Sequence, residues 1–207
     1  MIPIFVEPKF VDKYLSHPCL EVVVLEEEYR LCEQAASGDN FWGNSKKGAY
    51  GAGLAKTVDD PFKPARTGLL GQMAFAKVFR LPMDLKYRQG GDDFDNTIGG
   101  CKIDIKCATK NSGESLVYKT NEYGREVPIN KDIYVLSYLQ EEDRQKQYAK
   151  IIIVGFNFRK DVLKSEVKPG YKGKGHMNYV LPFLDARPID HLLEKVLIFS
   201  QKRQVFS

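Results

Sequence analysis

The chain has 207 residues, 43% hydrophobic and 28% charged, ordinary values for a soluble globular protein with room for one real core, or a core and a small appendage. The net charge of +4 permits nucleic-acid binding without demanding it. Three scattered histidines and four cysteines without a CxxC pair argue against a zinc site, and the longest aliphatic run, Ile151 to Val154, is far too short to cross a bilayer.

The opening MIPIFVEPKF lacks the basic start and apolar run of a signal peptide, so a cytoplasmic protein with no membrane partner is expected. Cys19, Cys32, Cys101 and Cys107 are then expected to be reduced and buried. Residues 2–6 read as a short edge strand. Leu20 to Ala36 reads as a helix, with Leu25, Tyr29 and Cys32 at i, i+4 and i+7 and Val22 joining them, although the β-branched Val22 to Val24 allows a strand at its start. Glu26, Glu27 and Glu28 read as its solvated side, with site carboxylates as the alternative.

Ser37 to Arg66 has no steady period and reads as a long loop. Its Lys46, Lys47, Lys56 and Arg66, with Phe41, Trp42 and Tyr50, are side chains of the kind that meet phosphates and bases; a plain surface loop is the alternative. Asp59-Asp60 before Pro61 reads as a turn. Thr67 is the expected N-cap of a helix running to Arg80 and ended by Leu81-Pro82. On that helix Gln72 shares a face with Phe75, Ala76 and Phe79, where a polar side chain needs a partner. Gly68 and Gly71 would let the helix approach a sheet closely.

The densest chemistry lies in Gly90 to Ala108, GGDDFDNTIGGCKIDIKCA. Gly99-Gly100 signals a two-residue hairpin turn. Pairing Ile98 with Cys101 sets Asp95 opposite Asp104 and Asp93 opposite Lys106. Alternation then places Cys101, Ile103, Ile105 and Cys107 on one face and Lys102, Asp104 and Lys106 on the other. Opposed carboxylates repel unless a cation lies between them, and oxygen ligands suit Mg²⁺ or Mn²⁺. A solvated face of alternating charge is the alternative.

Farther on, Ser115 to Lys119 is a strand candidate, Asp132 to Leu139 is strongly β in composition, and Tyr148 to Phe156 reads as a central strand. Asn157 is the expected cap of a short helix. Arg159 to Lys174 reads as a basic flexible loop in which Arg159, Lys160, Lys172 and Lys174 are candidate phosphate contacts. His176 to Pro182 reads as the last strand and Pro188 to Gln201 as an amphipathic helix.

Asp95 followed by Asp104-Ile105-Lys106, after the helix Thr67 to Pro82, resembles the D…(D/E)xK core of the PD-(D/E)XK nuclease superfamily. The resemblance implies an α/β fold with a three-layer restriction-endonuclease-like core, a mixed β-sheet flanked by helices. It implies one domain over 1–207, with an N-terminal helix and long loop in 1–66 and the catalytic core in 67–207. It implies a metal-dependent deoxyribonuclease in which Asp95, Asp104 and the Ile105 carbonyl hold Mg²⁺ (or Mn²⁺) and Lys106 acts at the phosphate. Gln72 stands where the family carries a glutamate, and would orient a water or the metal's surroundings. DNA is the implied partner, and a homodimer is compatible, since many members dimerise to cut both strands. Two rivals stay open: an inactive nucleic-acid-binding protein on the same fold, favoured by Gln72, and an interaction protein with the acidic hairpin as its surface.

Overall fold

The computed structural model describes residues 4–6, 17–37, 60, 62–83, 85, 94–121, 123–170 and 176–192. Within them a six-stranded mixed sheet is built from β1 (Ile4–Val6), β2 (Cys19–Leu25), β3 (Asn96–Ile98), β4 (Cys101–Ala108), β6 (Ile133–Asp143) and β7 (Tyr148–Phe158), in the order β1-β2-β7-β6-β4-β3. The β4–β6 pair is parallel and the other neighbours are antiparallel. A smaller antiparallel sheet holds β5 (Glu114–Tyr118), β9 (Met177–Pro182) and β8 (Val167–Pro169) in the order β5-β9-β8.

The large sheet is apolar on both faces because β6 and β7 are nearly continuous runs of Ile, Val, Leu and Tyr. One face packs under two helices, α1 (Glu26–Ser37) and α2 (Lys63–Phe79), burying Tyr29, Cys32, Leu70 and Phe75 against Ile103, Ile105, Val135 and Ile151. The other packs Tyr134, Leu136, Tyr138 and Ile152 against Val117, Leu181 and Phe183 of the small-sheet side. The class is thus mixed α/β, as expected, but helices cover one flank and a small sheet lies on the other, together with the short helix α3 (Arg159–Val162). The sequence conceals that second flank because its pairings are non-local. A bulge in β7 shifts the β6 register between Leu136 and Ser137 and returns Phe156 to the helix-covered face. Gly155 there leaves room for the Arg187 carbonyl, which a Cβ would meet at 2.3 Å.

Several boundaries differ from the sequence reading. The segment expected as one helix from Leu20 is β2 until Leu25, and only Glu26 onward is helical. The β-branched Val22 to Val24 pair with β7, whose buried ladder outweighs the helical spacing. Helix α2 starts at Lys63, with a proline in its first turn, so Thr67 is buried inside the helix rather than capping it. Arg80 closes that helix in the left-handed conformation, at φ 53°, its N–H returning to the Ala76 carbonyl. Asn157 is a strand residue and α3 follows Phe158; the expected basic loop from Arg159 instead contains α3 and β8. Of the expected C-terminal helix, only a 3₁₀ turn at Ile189–His191 and Leu192 fall within the described residues.

Arg66, expected in a phosphate-meeting loop, is only 1% exposed. Its Nε lies 2.6 Å from Glu142 and its Nη2 2.6 Å from Asp60, while the Tyr29 hydroxyl donates to Glu142 at 2.8 Å. The cluster pins α2 to α1 and to the β6–β7 hairpin. Gly71 sets α2 against the sheet: a Cβ there would lie 2.5 Å from the Cys107 Cβ of β4. Gly68 has open space around it and plays no such part.

Candidate functional site

The hairpin forms as its turn chemistry requires. Gly99 and Gly100 both take positive φ, 57° and 77°, and Ile98 pairs with Cys101, Thr97 with Lys102 and Asn96 with Ile103. The paired ladder ends at Asn96, so Asp95 is not the opposed ladder partner of Asp104 that the register predicts. Its N–H bonds the Ile103 carbonyl at 2.9 Å, and its carboxylate replaces the missing strand by accepting the Ile105 N–H on Oδ2 at 2.6 Å. This removes the repulsion that a paired Asp95 and Asp104 would suffer. Asp93, the expected partner of Lys106, lies outside the described residues.

Helix α2 supplies the next group. Close packing at Gly71 brings the following residue to the hairpin, and Gln72 Nε2 donates to Asp95 Oδ1 at 2.8 Å. The Asp95 carboxylate is therefore clamped from two sides, by a side-chain amide and a backbone N–H.

Asp104 and Lys106 share the opposite face of β4 from Ile103 and Ile105. Asp104 is 8% exposed, and its Oδ2 lies 2.7 Å from the Lys106 ammonium. That oxygen is sealed from solvent and makes no hydrogen bond, so the lysine meets it as a charge contact rather than an aligned donor. Asp104 stands beside Tyr134 on β6, which stands beside Asn157 on β7. Burial first, and then the Asp104 charge, push the Tyr134 phenol above its ordinary range, while the Arg159 charge works in the other direction. Alternation marks Tyr134 as facing one side of its strand, but no local signal gives the register between distant strands, so the sequence does not disclose Tyr134 and Asn157 as the row beside Asp104.

The N–H and C=O of one strand residue project to the same side. Since the Ile105 N–H reaches Asp95, its carbonyl faces the same edge of β4. The Asp95 and Asp104 carboxylates and the Ile105 carbonyl are oxygen donors, the hard type that suits Mg²⁺ or Mn²⁺. Among the described residues no group of three or more His, Cys, Asp or Glu side chains is gathered for a metal. The thiols beside the core are held neutral: burial pushes Cys107 to about 12, and burial with the Glu28 charge does the same for Cys32. None of the four cysteines is in a disulfide, and Cys107 is only half-buried.

Of the expected phosphate contacts, Arg159 and Lys160 are exposed on α3. Lys46, Lys47, Lys172 and Lys174 lie outside the described residues, as do Lys56, Phe41, Trp42 and Tyr50. Glu28 pairs with Lys77 of α2, away from Gln72, and so does not supply a carboxylate there. Comparison with protein-family models, with curated proteins and with solved structures returns no match.

Proposed function

We propose that this protein is a metal-dependent deoxyribonuclease with a restriction-endonuclease-like core. The observation that carries the reading is the clamp on Asp95. A helix residue, Gln72, and the backbone of the D-x-K strand, at Ile105, hold one carboxylate, one residue along from Asp104 and Lys106. A helix and the second strand of the hairpin thus converge on the residue just before β3, which supports the reading.

Asp95, Asp104 and the Ile105 carbonyl would hold Mg²⁺ or Mn²⁺. A divalent ion in that position supplies Lewis-acid polarisation of a phosphate oxygen and a more acidic water. The remaining work belongs to the chain. The Lys106 ammonium, one third exposed, swings from Asp104 to the phosphate and offsets the charge that develops on it. Gln72 fixes the Asp95 rotamer, so that the carboxylate keeps one direction. DNA would approach from the solvent-exposed side of Lys106.

A second reading has its own observation. Gln72 brings an amide donor to Asp95 where a nuclease of this kind carries an anion, and this favours a DNA-binding protein that does not cut. Supercoiled plasmid incubated with Mg²⁺, Mn²⁺ or EDTA separates the two. The nuclease reading expects metal-dependent nicking that Asp104→Ala and Lys106→Ala abolish with unchanged circular dichroism. Full activity in either variant sinks the site assignment. Retarded but intact DNA with every metal moves the conclusion to the binding protein.

A further inference from the structure

Asp132 is 5% exposed, and both its side chain and its main chain bond to backbone. Its Oδ2 accepts the Lys102 N–H at 2.9 Å, its own N–H reaches the Lys102 carbonyl at 2.9 Å, and its carbonyl accepts the Arg159 N–H at 2.9 Å. One buried residue thereby ties the start of β4, the start of β6 and the end of β7 at a single end of the sheet. Two cationic side chains, Lys102 and Arg159, emerge from the residues it ties. Lys131 precedes the knot in sequence and Lys160 follows it.

Lys102 lies two residues before Asp104 on β4, so alternation puts both on one face about 7 Å apart. Lys106 continues the same row beyond Asp104. Arg159 follows Asn157 by two residues, and Asn157 ends the row that runs from Asp104 through Tyr134. The Arg159 charge is felt at the Tyr134 phenol, as is that of Asp104. The neighbouring acidic side chain on α3, Asp161, is taken up by Arg187 at 2.8 Å. Asp132 spends its Oδ2 on the Lys102 backbone. Lys102 Nζ stands 5.4 Å from the centre of the Phe94 ring, a contact that steadies its stem, and among the described residues no carboxylate is ion-paired with its ammonium.

We propose that Lys102 and Arg159 form a phosphate-anchoring subsite for DNA at the Asp132 end of the sheet, flanking Asp104 on the side away from Lys106. The inference deepens the DNA-directed reading above and rests on it. The anchored phosphates belong to the strand that passes over Asp104, and the subsite fixes where along that strand the chemistry falls. The contact is to backbone phosphate, so it carries no base preference.

The test is binding of a fluorescein-labelled DNA duplex to the full chain in EDTA, by anisotropy over a salt series, with an RNA duplex of the same sequence alongside. Lys102→Ala and Arg159→Ala should each weaken binding and lower the slope of log affinity against log salt by about one. Arg159→Glu should do more than Arg159→Ala. Lys146→Ala, at the hairpin joining β6 and β7, is the control and should leave both unchanged. The Lys102 and Arg159 backbone bonds survive truncation, and a melting curve for each variant checks the fold. Wild-type slopes in both variants overturn the subsite, as does tighter binding of the RNA duplex or no binding of DNA at all. Plasmid cleavage with unaltered slopes removes the subsite and leaves the nuclease standing. Lowered slopes without cleavage remove the nuclease and leave the subsite.

Discussion

Two clusters of carboxylates and cations face each other across the logic of this fold. In one, Arg66 meets Asp60 and Glu142 at 2.6 Å each, and Tyr29 completes the coordination of Glu142. In the other, Lys106 touches Asp104 without an aligned hydrogen bond, and Asp95 is held by neutral donors. The first uses a planar fork that matches carboxylates and is buried; the second uses a point charge on a flexible stem that is one third exposed. The difference teaches how one helix is held in two ways. The buried Arg66 fork fixes helix α2 to α1 and the β6–β7 hairpin, while a single neutral amide, Gln72, links the same helix to Asp95.

Breaking the Arg66 cluster should have the largest effect. Arg66→Ala strands two largely buried carboxylates and is expected to cost about 3 kcal/mol in urea unfolding. Gly71→Ala should follow, at about 2 kcal/mol, because its Cβ would meet the Cys107 Cβ at 2.5 Å and backbone must shift. That shift moves Gln72 off Asp95, so cleavage should fall more than stability does. Gln72→Glu sharpens the comparison by making the cluster around Asp95 more anionic. The metal-free protein should lose about 1 kcal/mol, from the lost amide donor and the added repulsion. In return, 10-fold excess Mg²⁺ should raise its melting temperature more than it raises that of the wild type, and an equal rise in both removes the metal from this site.

The smallest and most gradual effect is with pH. Burial opposes ionisation of Glu142 and Asp60, but hydrogen bonds from Arg66 and its charge outweigh it, so both carboxyls sit below their ordinary values of 4.5 and 3.8. The unfolded chain therefore takes up protons first as acid is added. The stabilisation is complete above about pH 5 and is lost as pH falls through the folded values. Unfolding free energies between neutral pH and pH 3 should show this acid limb in the wild type and a shallower one in Arg66→Ala.

What the sequence discloses tracks how local each signal is. The hairpin is legible because a Gly-Gly turn and strict alternation fix it within a dozen residues. That Gln72 needs a partner is legible from its place on an apolar helix face. The start of α2 is misread because Thr67 looks like a cap, whereas Pro64 in the first turn is the better marker. Asn157 is misread for the same reason: a good cap residue sits where a buried strand simply continues. Arg66 hides among loop-like neighbours, since its partners are 6 and 76 positions away. The small sheet and the Asp104–Tyr134–Asn157 row depend on pairings between distant strands, which no short window encodes.

The carboxylate of Asp95 also bears on how copies of this chain treat one another. Among the described residues β3 is the outermost strand on its side and is three residues long, so much of the outer edge of β4 has no ladder beside it. An open edge of that kind invites an incoming strand from another molecule. The Ile105 N–H, which such a strand would seek, is already taken by an anion that repels carbonyl oxygens. Asp95 thus occupies the bond an incoming strand would take, and Asp95→Ala should be the variant that precipitates.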